Sequence, residues 1–164
     1  MTGSVKPRGW ALVPPPLLFA VPLVVGVLVD RRLLPVHLPN ALGTWLRWLG
    51  ILLIVVGAAH IVASAALFAR SRTTIVPHHR SSAMITRGAY RWTRNPMYLG
   101  LTLVYLGVSA FMGALLPLLL LPLPVVVMDR RIIPMEERQL EETFGASYAS
   151  YKARVRRWIG VRPA

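Results

Sequence analysis

NPMYLGLTLVYLGVSAFMGALLPLLLLPLPVVVM, residues 95–128, decides the fold, because it runs for 34 residues without a charge. Drawn as one straight helix at 1.5 Å per residue, it would extend about 51 Å against a hydrocarbon core of about 30 Å. The segment therefore has to fold back. Gly113 lies near its middle and Pro117 shortly after, so the economical reading is a helical hairpin that turns near Met112 to Ala114, with arms over 97–112 and 114–128. Pro122 and Pro124 then bend the second arm or leave carbonyls unpaired, which is tolerable only where they face protein or a cavity.

Two more apolar runs precede the hairpin. Trp48 to Ala69 spans 22 residues interrupted only by His60, with Trp45 and Trp48 at its start where an aromatic belt would sit. His60 reads as a neutral side chain hydrogen-bonded within the bundle rather than as a functional group. Ala11 to Val29 is uncharged over 19 residues. Pro14, Pro15, Pro16 and Pro22 predict an irregular start, with regular helix from Leu23 onward. Lys6 and Arg8 ahead of this run also suit a secretory signal, but Asp30-Arg31-Arg32 is a poor match to a small-residue cleavage site. The fold expected is an all-α polytopic membrane protein. Its spans fall at about 11–29, 48–69, 97–112 and 114–128 within a single membrane domain over 1–164.

Composition agrees. Of 164 residues, 55% are hydrophobic and 15% charged, and mean hydropathy is +0.54, values that argue against a solvated globule and against disorder. Lys and Arg number 19 against 6 Asp and Glu, a formal charge of +13. Such an excess would suit nucleic acid, but topology explains it without that partner. Sixteen basic residues fall before span one, between spans two and three or after Asp129, and three fall in the loop from Asp30 to Arg47. By the positive-inside rule both termini and the segments 70–96 and 129–160 are cytoplasmic. The absence of cysteine excludes disulfides, thiolate nucleophiles and Cys-ligated metal.

The cytoplasmic segments hold nearly all the polar chemistry. Asp129, Glu136, Glu137, Glu141 and Glu142, five of the six acids, fall within fourteen residues. The tail reads as helix from the spacing of Ile133, Leu140, Phe144, Tyr148 and Tyr151, with Gly145 a point where it divides. An amphipathic interfacial helix whose cations hold anionic lipid accounts for Lys152 to Trp158. It accounts poorly for Glu136-Glu137, which an anionic leaflet would repel. In the other segment Pro96 suits the first turn of span three. Arg94 and Asn95 then sit at that helix's N-terminus, a place suited to an anion.

Three spaced motifs carry a resemblance. Met84-Ile85-Thr86-Arg87-Gly88-Ala89-Tyr90, then Arg94-Asn95-Pro96-Met97-Tyr98-Leu99-Gly100, then Glu136-Glu137-Arg138 with Phe144-Gly145, Tyr148 and Tyr151 together resemble the isoprenylcysteine carboxyl methyltransferase family and its phospholipid methyltransferase relatives. Asn95 stands where many members carry His, so an amide replaces an imidazole. The resemblance implies an integral membrane enzyme that transfers a methyl group from S-adenosylmethionine to a lipidic or hydrophobic acceptor, carboxylate or amine or hydroxyl. It implies a cytosolic cofactor site built from Tyr90, Arg94, Asn95, Pro96, Tyr98, Glu136, Glu137, Tyr148 and Tyr151. Arg94 and Glu137 are the residues expected at its catalytic centre, Arg94 on the cofactor's carboxylate. Glu136 and Glu137 are both candidates for its ammonium or ribose hydroxyls and for removing a proton from an amine acceptor. Lateral entry of that acceptor between the hairpin and span two is expected.

Two rivals use the same residues differently. Sterol and steroid reductases carry a similar Arg-x-Pro-x-Tyr string and use NADPH, but they show Asn before the tyrosine and an acid soon after the glycine. Here those places hold Met97 and Leu101, Thr102 and Leu103. A non-catalytic membrane protein could use the scaffold and basic face to hold lipid. No metal site is expected, since His78-His79 is an isolated pair without further ligands at metal spacing.

Overall fold

The computed structural model describes residues 13–33, 40–71 and 84–162. His78-His79 and the basic residues ahead of span one lie outside these. Among the described residues are helices α1 (Pro15–Leu33), α2 (Asn40–Arg70), α3 (Pro96–Met112), α4 (Leu116–Leu120), α5 (Pro122–Val127), α6 (Ile133–Phe144) and α7 (Ala146–Arg154), with a 3-10 turn at Gly88–Arg91 and a π turn at Met128–Ile132. The all-helical reading holds.

At 31 residues, α2 is about 46 Å long. Its stretch Leu42–Arg70 is the one helix among the described residues long and apolar enough to cross a membrane, while Pro96–Met112 is apolar but shorter. Large apolar side chains including Trp48, Leu52, Val55 and Val62 stand exposed along it, a surface that water would not tolerate in bulk.

The largest helix interface joins α2 to α3, and glycine makes it possible. A Cβ at Gly50 would lie 2.6 Å from the carbonyl oxygen of Gly107, and one at Gly57 would lie 2.7 Å from that of Gly100. The reverse contacts are equally close, 2.7 Å from Gly107 to Gly50 and 2.8 Å from Gly100 to Gly57. Two reciprocal glycine pairs, seven residues apart on each helix, thus form an antiparallel backbone-to-backbone seam. Small residues at such spacing let membrane helices approach where lipid supplies no hydrophobic drive. At these two levels the seam leaves no opening between α2 and α3, where the sequence had suggested that an acceptor enters.

The hairpin turns where its sequence required. Gly113 takes the left-handed conformation at φ 63°. Its N–H donates to Ala110 O and that of Ala114 to Ser109 O, the paired bonds of a Schellman stop. In the second arm Pro117, Pro122 and Pro124 divide the chain into the short helices α4 and α5, and the Tyr105 hydroxyl donates to Pro117 O across the hairpin at 2.8 Å.

The ends of α1 and the end of the hairpin differ from expectation. Regular helix in α1 begins at Pro15 rather than Leu23 and runs on through Pro22; Pro15 and Pro16, in its first turn, remove only donors that have no partner there. The same helix runs past Val29, so Asp30 is not part of a loop. Asp30 is buried and its Oδ1 accepts from the N–H groups of Leu115 and Leu116 at 2.9 and 2.8 Å. One helix thereby caps another, satisfying donors that the broken start of α4 leaves open. At the hairpin's end, chain that was expected to leave it at Asp129 stays helical through the π turn into α6. That wide turn lies directly upstream of Pro134, whose ring cannot accommodate an α-helical carbonyl four residues back. Phe19, Tyr105, Met128, Ile132 and Ile133 fill the core between α1, α3 and this turn.

Candidate functional site

Four segments meet at the N-terminal end of α3. The first is the loop from Met84 to Asn95. Gly88, at φ 62°, opens the 3-10 turn that buries Tyr90. The Tyr90 ring packs edge-on against Phe68 of α2 at 5.8 Å, and its carbonyl accepts from the Tyr151 hydroxyl of α7 at 2.8 Å.

The second segment is the C-terminal chain after α7. The helix stops at Arg154, and Val155 to Val161 form a small hairpin closed by a bridge between those two residues. Its backbone is knitted to the loop: Arg94 N donates to Arg156 O at 3.0 Å, and Gly160 N to Trp92 O at 2.7 Å. Arg157 O accepts from both Thr93 Oγ1 and Asn95 Nδ2, at 3.2 and 3.0 Å. Residues 155–158 are therefore not the interfacial helix that their basic run suggested. The carbonyls of Arg156 and Arg157 are taken by the loop, and Gly160 at φ 106° supplies the return in the left-handed region.

Helix α6 and the π turn bring the acids. Glu137 is buried and lies between two guanidinium groups. Arg94 Nη1 is 2.7 Å from its Oε1. Arg157 holds both oxygens, Nε to Oε1 at 3.3 Å and Nη2 to Oε2 at 2.8 Å. Arg157 Nη1 also reaches Asp129 Oδ1 at 3.1 Å, and Trp158 Nε1 donates to that oxygen at 2.9 Å. Arg94 is the exception in this network. Its side chain is 6% exposed, yet Nε has no hydrogen-bond partner among the described residues, and Nη1 approaches Glu137 without the alignment of a hydrogen bond. Buried guanidinium N–H groups left unmatched are costly, so they mark a place where an anion would be welcome.

Glu136, one residue away, faces different neighbours. Its Oε1 accepts from the Tyr98 hydroxyl at 2.5 Å. Burial pushes its carboxyl up to about 7, opposed by the Tyr98 hydrogen bond and reinforced by the charge of Glu137. Adjacent carboxylates in unlike surroundings commonly divide roles. Here Glu137 is occupied by cations, and Glu136 is an acid that can change its charge near neutral pH.

The sequence-derived set is thus largely assembled. Arg94, Glu137, Glu136, Tyr98, Tyr90 and Tyr151 join the network, and Tyr148 is buried with its ring 6.0 Å from that of Tyr151. Burial, then the charge of Glu137, pushes the Tyr148 phenol up to about 12. Asn95 ties the loop to Arg157, and Pro96 opens α3. Glu141 and Glu142 stay outside. Glu141 pairs with Lys152 at the surface, and Glu142 is exposed. Thr93, Arg157 and Trp158 were missed, the last two hidden in a run that charge alone assigned to lipid.

An all-helical protein with one helix long and apolar enough to cross a membrane and a buried arginine–glutamate centre is the class these observations define. The family model described as phospholipid methyltransferase matches residues 45–147, and the chain belongs to this family of isoprenylcysteine carboxyl methyltransferase-like membrane methyltransferases. The matched part includes the glycine seam, the hairpin, Arg94 and both glutamates, and it ends before Tyr148 and the C-terminal hairpin. A protein of Haemophilus influenzae described as uncharacterized is 38% identical over 63 residues, covering 38% of this chain and the whole of that protein. No solved structure matches.

Proposed function

We propose that this protein is an S-adenosylmethionine-dependent methyltransferase that acts at the membrane on a lipidic or hydrophobic acceptor. The observation that carries the reading is Arg94, a buried guanidinium whose Nε lacks a partner among the described residues while the acid beside it is already held by Arg157. The cofactor has a carboxylate, an ammonium, a sulfonium and a ribose, and the residues present fit that inventory. Arg94 would take the carboxylate. Glu136 would take the ammonium or ribose hydroxyls, and the buried tyrosines Tyr90 and Tyr148 would wall the adenosine. Bound there, the cofactor supplies an electrophilic methyl group whose transfer discharges the sulfonium.

The chain's own contribution is orientation and exclusion of water. Glu137 holds Arg94 in place, and Tyr151 and Phe68 fix the Tyr90 wall. Tyr98 orients Glu136. A carboxylate acceptor needs no base, whereas for an amine acceptor Glu136 is the group with capacity to receive the proton. With the α2–α3 seam closed, the acceptor would approach on the α1-facing side of α3, where Tyr98 packs against the core containing Phe19.

The same reading includes a multi-pass topology of four spans, α1, α2 and the two hairpin arms, with the site and both termini cytoplasmic. Its support is the distribution of basic residues together with the apolar exposure of α2. Incubating membranes that contain the protein with methyl-labelled cofactor, then extracting lipid and small molecules, tests the reaction. Label in an extractable product that is absent with Arg94→Ala is expected. No labelled product from any membrane source, with no binding of cofactor, favours the lipid-holding alternative.

A further inference from the structure

Arg157 touches both halves of the candidate centre. Its side chain forks onto Glu137 and reaches Asp129, while its backbone carbonyl accepts from Thr93 and Asn95, the residues flanking Arg94. The acid on α6 and the loop before α3 are therefore set relative to one another through one residue. The pairing has an electrostatic consequence. A lone carboxylate between two guanidiniums divides its lone pairs between them, and Arg157 takes a bond from each Glu137 oxygen. Arg94 is left near Glu137 without an aligned bond, its Nε unpartnered among the described residues.

We infer that Arg157 is a positioning residue that keeps Arg94 available for an anion by occupying Glu137. This rests on the cofactor reading above and goes beyond the matched family region, which ends at 147. Without Arg157, Glu137 is free to turn both oxygens to Arg94 in the bidentate geometry that carboxylates prefer with guanidinium. The anion site would then be closed from within. Asp129 serves the same end by anchoring the guanidinium from the far side, its Oδ1 also accepting from Trp158 Nε1. Lys at this position retains the charge but lacks the fork.

The test compares two ligands on purified full-length protein in detergent. S-adenosylhomocysteine carries the amino-acid carboxylate, and 5′-methylthioadenosine keeps the adenosine and sulfur but lacks it. Arg157→Ala is expected to weaken S-adenosylhomocysteine binding about tenfold or more, the effect of losing a charge-assisted contact, and to leave methylthioadenosine binding within about twofold. Arg157→Lys, which keeps the charge, is expected to show the same pattern at smaller amplitude, and it carries the test if the alanine variant does not fold. Equal loss of both ligands, or unchanged affinity for S-adenosylhomocysteine, overturns the positioning role. A wild type that binds neither ligand overturns the functional reading itself, and the role with it.

Discussion

Arg94 and Glu137 form a buried pair across two segments, Nη1 to Oε1 at 2.7 Å, with side chains 6% and 7% exposed. A charge this far from water is stable only with its counter-charge in place. Glu137→Ala is therefore expected to leave the Arg94 guanidinium stranded and to lower stability by about 3 kcal/mol. Thermal unfolding in detergent checks this. Glu141→Ala is the control, since its pair with Lys152 is at the surface and such pairs contribute at most about 1 kcal/mol.

The glycine seam makes a contrast between positions of one helix. Gly57→Ala places a methyl group 2.7 Å from Gly100 O and is expected to destabilise by about 1–3 kcal/mol through overpacking. Gly43, also on α2, has no atom of the described residues within 4 Å of where a Cβ would stand. Gly43→Ala is expected to stabilise by about 0.5–1 kcal/mol through helix propensity. Opposite signs in the same unfolding assay are the result to look for.

Asp30 offers a test of the link between α1 and the hairpin. Its carboxylate accepts from Leu115 N and Leu116 N, so Asp30→Ala is expected to cost about 1–2 kcal/mol, the range of a lost helix cap. Asn can still accept at one oxygen and should retain part of it. Equal unfolding temperatures for wild type and Asp30→Ala would contradict the assignment.

Glu136 sets a pH dependence. Its carboxyl is raised from 4.5 in the free state to about 7, chiefly by burial. A carboxyl raised on folding favours the folded state in its neutral form, so this contribution is complete below about pH 4.5 and is lost as pH rises through 7. A bound cation reverses the preference by favouring the carboxylate. Affinity for the sulfonium cofactor is accordingly expected to rise between pH 6 and 8 with release of a proton, and Glu136→Gln should flatten both the stability slope and the affinity slope. Calorimetry in buffers of different ionisation enthalpy measures the proton.

Charge gaps and glycine–proline punctuation made the outline legible. The 34 uncharged residues from Asn95 forced a hairpin, and Gly113 turns it. Gly145 divides the tail helix, as its conformational freedom suggested. Asp30 was misread because a charge at the end of an apolar run looks like a loop residue, and its real partner lies 85 positions away. Arg157 was missed for a related reason. Basic runs near membranes usually face lipid, and nothing local to Arg156-Arg157-Trp158 reveals that two acids on another helix consume the charge. The close approach of α2 and α3 was written in glycines spaced by seven, a period that hydropathy does not register because glycine is neither polar nor strongly apolar.

Calorimetric binding of S-adenosylhomocysteine to the purified protein, wild type beside Arg94→Ala, tests whether Arg94 anchors the cofactor. The buried guanidinium with its unpartnered Nε leads to saturable one-to-one binding by the wild type and a loss of about tenfold or more on removing that guanidinium. Absence of binding by folded wild type, or equal affinity in the two proteins, would contradict it.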